Sequence, residues 1–279
     1  MAFFSGNRIN TNVGALNAFN AMNNINSKMG TIQMRLASGK RINSASDDPA
    51  GYTIGKKLEA RSRSLSAALN NVGELKNILS VAEGGLQNIN DLLVGIKEKS
   101  IQAANGSYGS EELTAIVTQV NDSLNEIDDI ISETKFNGTA LLNAQFTSKT
   151  FQTGADGGDS MSVGLSATID SADFGLSSIT SASFNSSNLS TTLSSLDSAI
   201  NTVSRELQYV GSLSSRLDVK ESTLLTATTN TDAAASRIMD ADIAKEQLEM
   251  TKLQILQQTS TIQLAQANAA PQNILSLFR

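Results

Sequence analysis

The fold is decided by residues 58–103, LEARSRSLSAALNNVGELKNILSVAEGGLQNINDLLVGIKEKSIQA. Leu58, Leu65, Val72, Leu79, Leu86 and Leu93 recur every seventh residue. A second row, Ala68, Leu75, Ala82, Ile89, Ile96 and Ala103, is offset by three, and only Arg61 interrupts it. An apolar heptad keeps one seam on the same side of a slightly under-wound helix, which is the coiled-coil pattern. The stretch predicts one helix of about 50 residues whose seam faces other helices. Gly73, Gly84, Gly85 and Gly95 each cost such a helix about 1 kcal/mol relative to Ala. They are expected at points of close backbone approach or bending.

Immediately upstream, Ser44-Ala45-Ser46-Asp47-Asp48-Pro49 is a helix start. An Asp48 carboxylate satisfies orphan N–H groups, and Pro49 sits where no N–H is needed. Ser38-Gly39 reads as the C-terminal cap of an earlier helix. In that helix Ile9, Val13, Leu16, Phe19, Met22, Ile25, Met29, Ile32 and Leu36 advance in threes and fours, an expected apolar stripe over about eight turns. Asn, Ala, Ser and Thr fill the gaps with few charges, so the helix depends on a partner.

Downstream, Asn105–Ser110 reads as a loop. Leu113, Val117, Val120, Leu124, Ile127 and Ile131 then step along one face of a third helix, with Glu126, Asp128 and Asp129 on the other. Phe136-Asn137-Gly138 closes it with a turn signal. Phe151, Met161, Val163 and Leu165 alternate around Gly154–Asp159, which predicts a small β-hairpin. The loop carboxylates lack the spacing and bidentate Glu of a calcium-binding EF-hand, so a polar turn is expected. Residues 160–198 hold 14 Ser and are read as a low-complexity surface excursion.

The helical period resumes with Leu193, Leu196, Ile200, Val203, Leu207 and Val210, continued by Leu217, Leu224 and Ile238. A last helix carries Leu248, Met250, Leu253, Ile255, Leu256, Ile262 and Leu264, and is expected to end near Pro271 before an apolar tail that includes Leu275 and Leu277. The fold class is mainly α: long antiparallel coiled-coil helices from both chain ends, with a small β-hairpin and a Ser-rich segment between. The two terminal stripes are expected to pack on each other.

Composition narrows function. The 279 residues include no Cys, no His, 2 Pro and 9 Phe. No His-based acid–base chemistry, thiol nucleophile or thiolate zinc site exists, and no cofactor is implied. The net charge of −6 is uneven. Residues 1–63 carry 9 basic and 3 acidic side chains, and residues 105–200 carry 2 and 12. The basic residues stand singly or in pairs without an aromatic stacking platform, so nucleic acid is not an expected partner. No apolar run approaches the roughly 20 residues of a membrane span, and the N-terminus lacks a signal-peptide pattern. The helices also lack the basic, Trp/Phe-bearing faces of interfacial helices, so no membrane partner is expected.

Four stretches are specific. Residues 36–51, LASGKRINSASDDPAG, 134–143, TKFNGTALLN, and 254–279, QILQQTSTIQLAQANAAPQNILSLFR, closely resemble bacterial flagellin. FQTGADGGDSMSVGL is similar to the same family's hairpin region. The resemblance implies a filament subunit: a terminal-helix layer from 1–44 and 239–279, a rod from 45–145 and 191–238, and a hairpin with a short variable segment at 146–190 in place of outer domains. It implies export in the unfolded state and an extracellular filament used for motility, and no enzyme is expected because no motif supplies a site constellation. It implies as partners further copies of the chain, the cap and hook–filament junction proteins, and an export chaperone at the C-terminal helix. Under this reading Ile9, Val13, Leu16, Phe19, Met22, Ile25, Leu253, Leu256, Leu264, Leu275 and Leu277 are assembly residues. Any of them alternatively holds the intramolecular helix pair. The seam is Leu58, Leu65, Val72, Leu79, Leu86 and Leu93 with Leu196, Val203, Val210 and Leu217.

The family's Toll-like-receptor motif falls on Val94–Gln102. Lys97, Glu98 and Gln102 match, but Gly95 replaces an Arg, Lys99 replaces a Leu, and Gln119 stands where a family Glu contributes. Loss of a bidentate donor and a charge at an apolar contact predict weak recognition. The alternative reading, a hook–filament junction protein, shares the Asp-Asp-Pro element. The QILQQ…LAQAN…PQN ending favours flagellin. A metallopeptidase insert is excluded because an H-E-x-x-H site needs His.

Overall fold

Asp48 and Pro49 start the longest helix as their chemistry requires. In the computed structural model, Asp48 Oδ1 accepts the N–H groups of Ala50 at 3.1 Å and Gly51 at 3.0 Å. The structure describes residues 11–143, 146–165, 171–172, 175–176, 179–184 and 188–277, with the helical backbone alone for 270–277. Among them run α1 (Val13–Ser38), α2 (Pro49–Ala103), α3 (Ser110–Glu133), α4 (Leu189–Met239) and α5 (Ile243–Leu277). Between α3 and α4 lie β1 (Lys135–Phe136), β2 (Thr139–Ala140), β3 (Lys149–Gln152), β4 (Ser160–Val163) and a 3₁₀ turn at Ser181–Phe184.

The chain divides into two compact units, 1–61 with 230–279, and 62–229. The second unit owns the main core. Both heptad rows of α2 from Leu65 onward are in it, with Val72, Leu75, Ala82, Leu86, Ile89 and Leu93 wholly buried. They pack with Val120, Leu124, Ile127 and Ile131 of α3 and with Leu196, Val203, Val210 and Leu217 of α4. Leu58, in the first unit, is half-buried. Polar links fix α2 against α4: Lys76 Nζ lies 2.7 Å from both Asp218 Oδ1 and Glu221 Oε2. Their hydrogen bonds raise the Lys76 pKa, Asp218 contributing most.

Two expectations about α2 and the middle segment change. Of the four glycines, Gly85 marks a close approach: a Cβ there would lie 2.7 Å from Thr134 Oγ1 and 3.0 Å from Leu142 Cδ1. Gly73, Gly84 and Gly95 face open space. The Ser-rich segment is not merely a surface excursion. Leu176, Ile179 and Phe184 are buried in the main core. Side chains of α3 hold the segment: Asp128 accepts Ser171 N–H at 3.0 Å and Ser171 Oγ–H at 2.7 Å. Asn121 Nδ2 donates to the Ile179 carbonyl at 2.9 Å. Sparse apolar residues suffice to bury a segment when its backbone groups find such partners.

The expected hairpin forms, β3 pairing antiparallel with β4 in the register Phe151–Met161. The turn at Asn137-Gly138 is itself a second hairpin, joining β1 to β2. Both residues have positive φ, 48° and 79°. Asn-Gly is the favoured pair for such a two-residue turn.

In the first unit, Gly39 ends α1 with φ 69° and returns its N–H to the Arg35 carbonyl. The link after α1 then pairs with the link after α4. Arg41 N–H donates to Met239 O at 2.7 Å, and Ala241 N–H donates to Gly39 O at 2.9 Å. Ile42 and Met239 are buried beside this pairing.

Candidate assembly surface

The terminal helices α1 and α5 form an antiparallel pair. Three polar links set its register. Asn12 Nδ2 donates to Ala267 O at 2.7 Å, and Gln257 Nε2 donates to Asn26 Oδ1 at 2.7 Å. Arg35 lies 3.5 Å from Glu246. Between them Ile32, Met250 and Leu253 are buried, with Ile25, Met29 and Leu36 packed around them.

The apolar stripe of α1 does not lie on one face. From Val13 to Ile25 it takes four steps of three residues. At 3.6 residues per turn, each such step drifts by about 60°, so four of them sweep the stripe through about 240°. The less exposed positions are instead Asn12, Ala15, Ala18, Met22, Ile25, Met29 and Ile32. Val13, Leu16 and Phe19, one position later than the first three, stay 48%, 56% and 46% exposed. The apolar residues of α5 divide in the same way. Leu253 is buried and Leu264 half-buried, while Leu248, Ile255, Leu256 and Ile262 are exposed.

Of the sequence-derived assembly residues, Met22, Ile25, Leu253 and Leu264 are therefore wholly or partly withdrawn from solvent. Val13, Leu16, Phe19 and Leu256 are open. Ile9 lies outside the described residues. Leu275 and Leu277 lie on the described backbone of α5, but their side chains are outside the described set. That backbone overturns the expected helix end, because α5 runs past Pro271 to Leu277. Proline has no N–H for the carbonyl four residues back, that of Ala267. The Asn12 side-chain amide fills the vacancy. The other end of the same side chain caps α1, Oδ1 accepting Ala15 N–H at 3.0 Å. Reading the apolar period alone missed this pair. Asn at a helix start and Pro inside a helical pattern are the signals that expose it.

Two aspartates shape the links. Asp242 caps α5 through the N–H groups of Ala244 and Lys245. Asp47 accepts the N–H groups of Ser44 at 2.9 Å and Asn43 at 3.0 Å. Those backbone bonds, Ser44 first, lower its pKa.

On the receptor-like stretch, a Cβ at Gly95 would meet nothing within 4 Å. Lys97 pairs with Asp197 of α4. Gln102 Nε2 donates to Tyr108 Oη at 3.0 Å. Glu98 and Gln119 are exposed, and Lys99 is half-buried. No group of three or more His, Cys, Asp or Glu suited to a metal occurs among the described residues. No helix among them is long and apolar enough to cross a membrane.

This architecture, one unit of paired terminal helices and another with a helical core and a hairpin, has relatives. The bacterial flagellin N-terminal helical region matches residues 9–147, and the bacterial flagellin C-terminal helical region matches 193–278. Flagellin FlaB1 of Treponema pallidum is 34% identical, covering 97% of this chain and 99% of its own. The flagellin of Bacillus subtilis is 33% identical, covering 98% of this chain and 100% of its own. Among solved structures, a protein described as a flagellar hook-associated protein of Vibrio parahaemolyticus shares the fold. Its TM-score is 0.61 at 16% identity, over 70% of this chain and all of that one. The chain belongs to the bacterial flagellin family.

Proposed function

We propose that this flagellin assembles by burying the open apolar flank of its terminal helix pair against neighbouring copies. As a flagellin it is a structural subunit of the bacterial flagellar filament. The observation that carries the assembly reading is the displaced stripe. Val13, Leu16 and Phe19 are large and apolar, yet α5 does not cover them. Fully burying each such side chain is worth about 1.5–3 kcal/mol. A heterologous contact between unlike surfaces does not close on itself and continues as a helical array.

In this reading, residues 1–44 and 239–279 form the inner layer of the filament and 45–145 with 191–238 the rod. The chain is exported unfolded and works outside the cell. Cap and hook–filament junction proteins meet the same helix pair at the filament's ends. An export chaperone covers α5 before secretion, which the exposed Leu248, Ile255 and Ile262 favour. Toll-like receptor recognition is weak. The Lys97–Asp197 pair supports that reading, because it occupies the one matching cation.

Seeded elongation tests the assembly reading. Leu16→Asp with Phe19→Asp should block growth on parental filament fragments and leave the helical core of 62–229 melting as in the parent. Growth at the parental rate would overturn it.

A further inference from the structure

Within unit 62–229, the outer surface of α4 has an open groove of about 530 Å³. Thr153, Ser160 and Met161 of the hairpin form one wall, and Arg216, Val219 and Lys220 of α4 form the other. Val219, a large apolar side chain, is left 68% exposed. Arg216 is exposed and Lys220 half-buried, and neither forms an ion pair with a described residue. Arg205 extends the basic face along α4, although it also donates to Thr202 and its charge acts on the neighbouring Glu206.

A complementary surface lies on the same chain. Asp122, Glu126, Asp129 and Glu133 step by four, three and four along α3. All four are exposed, and none pairs with a described cation. Asp122 and Glu133 are eleven residues apart, as are Arg205 and Arg216. At 1.5 Å per residue, the acidic line and the Arg205–Arg216 pair each span about 16 Å, and Lys220 extends the basic line to about 22 Å.

We propose that the groove between the hairpin and α4 receives the acidic face of α3 from a second copy of this chain. The proposal rests on the filament reading and adds a contact between unlike surfaces of unit 62–229. Charge complementarity chooses the occupant. The stripe brings four carboxylates to a face with three cations, and Val219 and Met161 supply apolar contact between them. Such pairing sets register and accelerates encounter more than it adds affinity.

The test measures elongation on parental filament fragments with two charge-reversed chains. One carries Arg216→Glu with Lys220→Glu, and the other Glu126→Lys with Asp129→Lys. All altered groups are at least partly exposed, and an unchanged circular-dichroism melt verifies folding. Each variant alone should elongate roughly tenfold more slowly than the parent, because like charges then face each other. An equimolar mixture should recover, because alternating copies again present opposite charges. The neutral variant Arg216→Gln with Lys220→Gln should lose the parent's slowing by salt, whatever the reversed chains do. Either reversed chain growing at the parental rate would overturn the proposal, as would a mixture no faster than its components. A parent that forms no filaments from which fragments can be made would instead overturn the filament reading, and this contact with it.

Discussion

At the scale of single residues, Asn12 is the most consequential side chain of the helix pair. It caps one helix and supplies the donor that proline denies the other. Asn12→Ala should cost about 1 kcal/mol for the cap and a further 1–3 kcal/mol or so for the stranded carbonyl. Pro271→Ala returns an N–H to that carbonyl, so the two substitutions should be strongly non-additive. Amide exchange of α1 and α5 in a double-mutant cycle measures this. Additive losses would show that Pro271 and Asn12 are not linked.

Asp47 adds a pH signature. Its folded pKa is lowered by the Ser44 and Asn43 N–H groups. Its contribution is therefore present above the unfolded value of about 3.9 and lost as pH falls through the lower folded value. Asp47→Asn should lower stability at neutral pH, with the difference from the parent vanishing in strong acid. Melting curves across that range check it. Asp48 was legible as a cap because Pro49 follows it. The Asp47 turn was not, since it depends on how the chain bends between two helices.

At the scale of elements, the glycines of α2 separate two effects that the sequence leaves mixed. Where space is open, Ala gains helix propensity. Gly73→Ala and Gly84→Ala should each stabilise unit 62–229 by about 1 kcal/mol. At Gly85 the same Cβ meets Thr134 and Leu142, and the overpacking should cancel or reverse that gain. Denaturant midpoints for the three variants decide the matter, and equal gains at all three would refute the close approach. The heptad of α2 was legible because its period holds for six repeats. The stripe of α1 was legible as helical but not as a face. Its runs of three-residue steps rotate away from the partner, and only the position of α5 shows where burial stops. Likewise Leu176, Ile179 and Phe184 sit among serines, with no period to announce them as core.

At the scale of the molecule, the two units are unequally furnished. Among the described residues, the core of the α1–α5 pair consists of three buried residues, Ile32, Met250 and Leu253. Unit 62–229 buries apolar residues from three helices, the hairpin and the Ser-rich segment. The monomer should unfold in two steps, the helix pair first, while polymerisation should raise the first step most, since neighbours cover the open apolar flank of the helix pair only when it is ordered. Calorimetry of monomer and filament tests this, and a single coincident transition in the monomer would contradict it. The helical class and the pairing of chain ends were legible in the sequence. The unit boundary within α2 was not, because the heptad runs through it without a break.

The hydrogen bond from Asn12 to Ala267 spans 255 residues of sequence. Closing so long a loop is entropically costly and comes late in folding. A chain delivered one end at a time must leave the carbonyl next to Pro271 unfilled until both ends have arrived. Maturation of the last helix thus reports that the whole chain is present, and a subunit truncated at either end would lack a finished terminal pair.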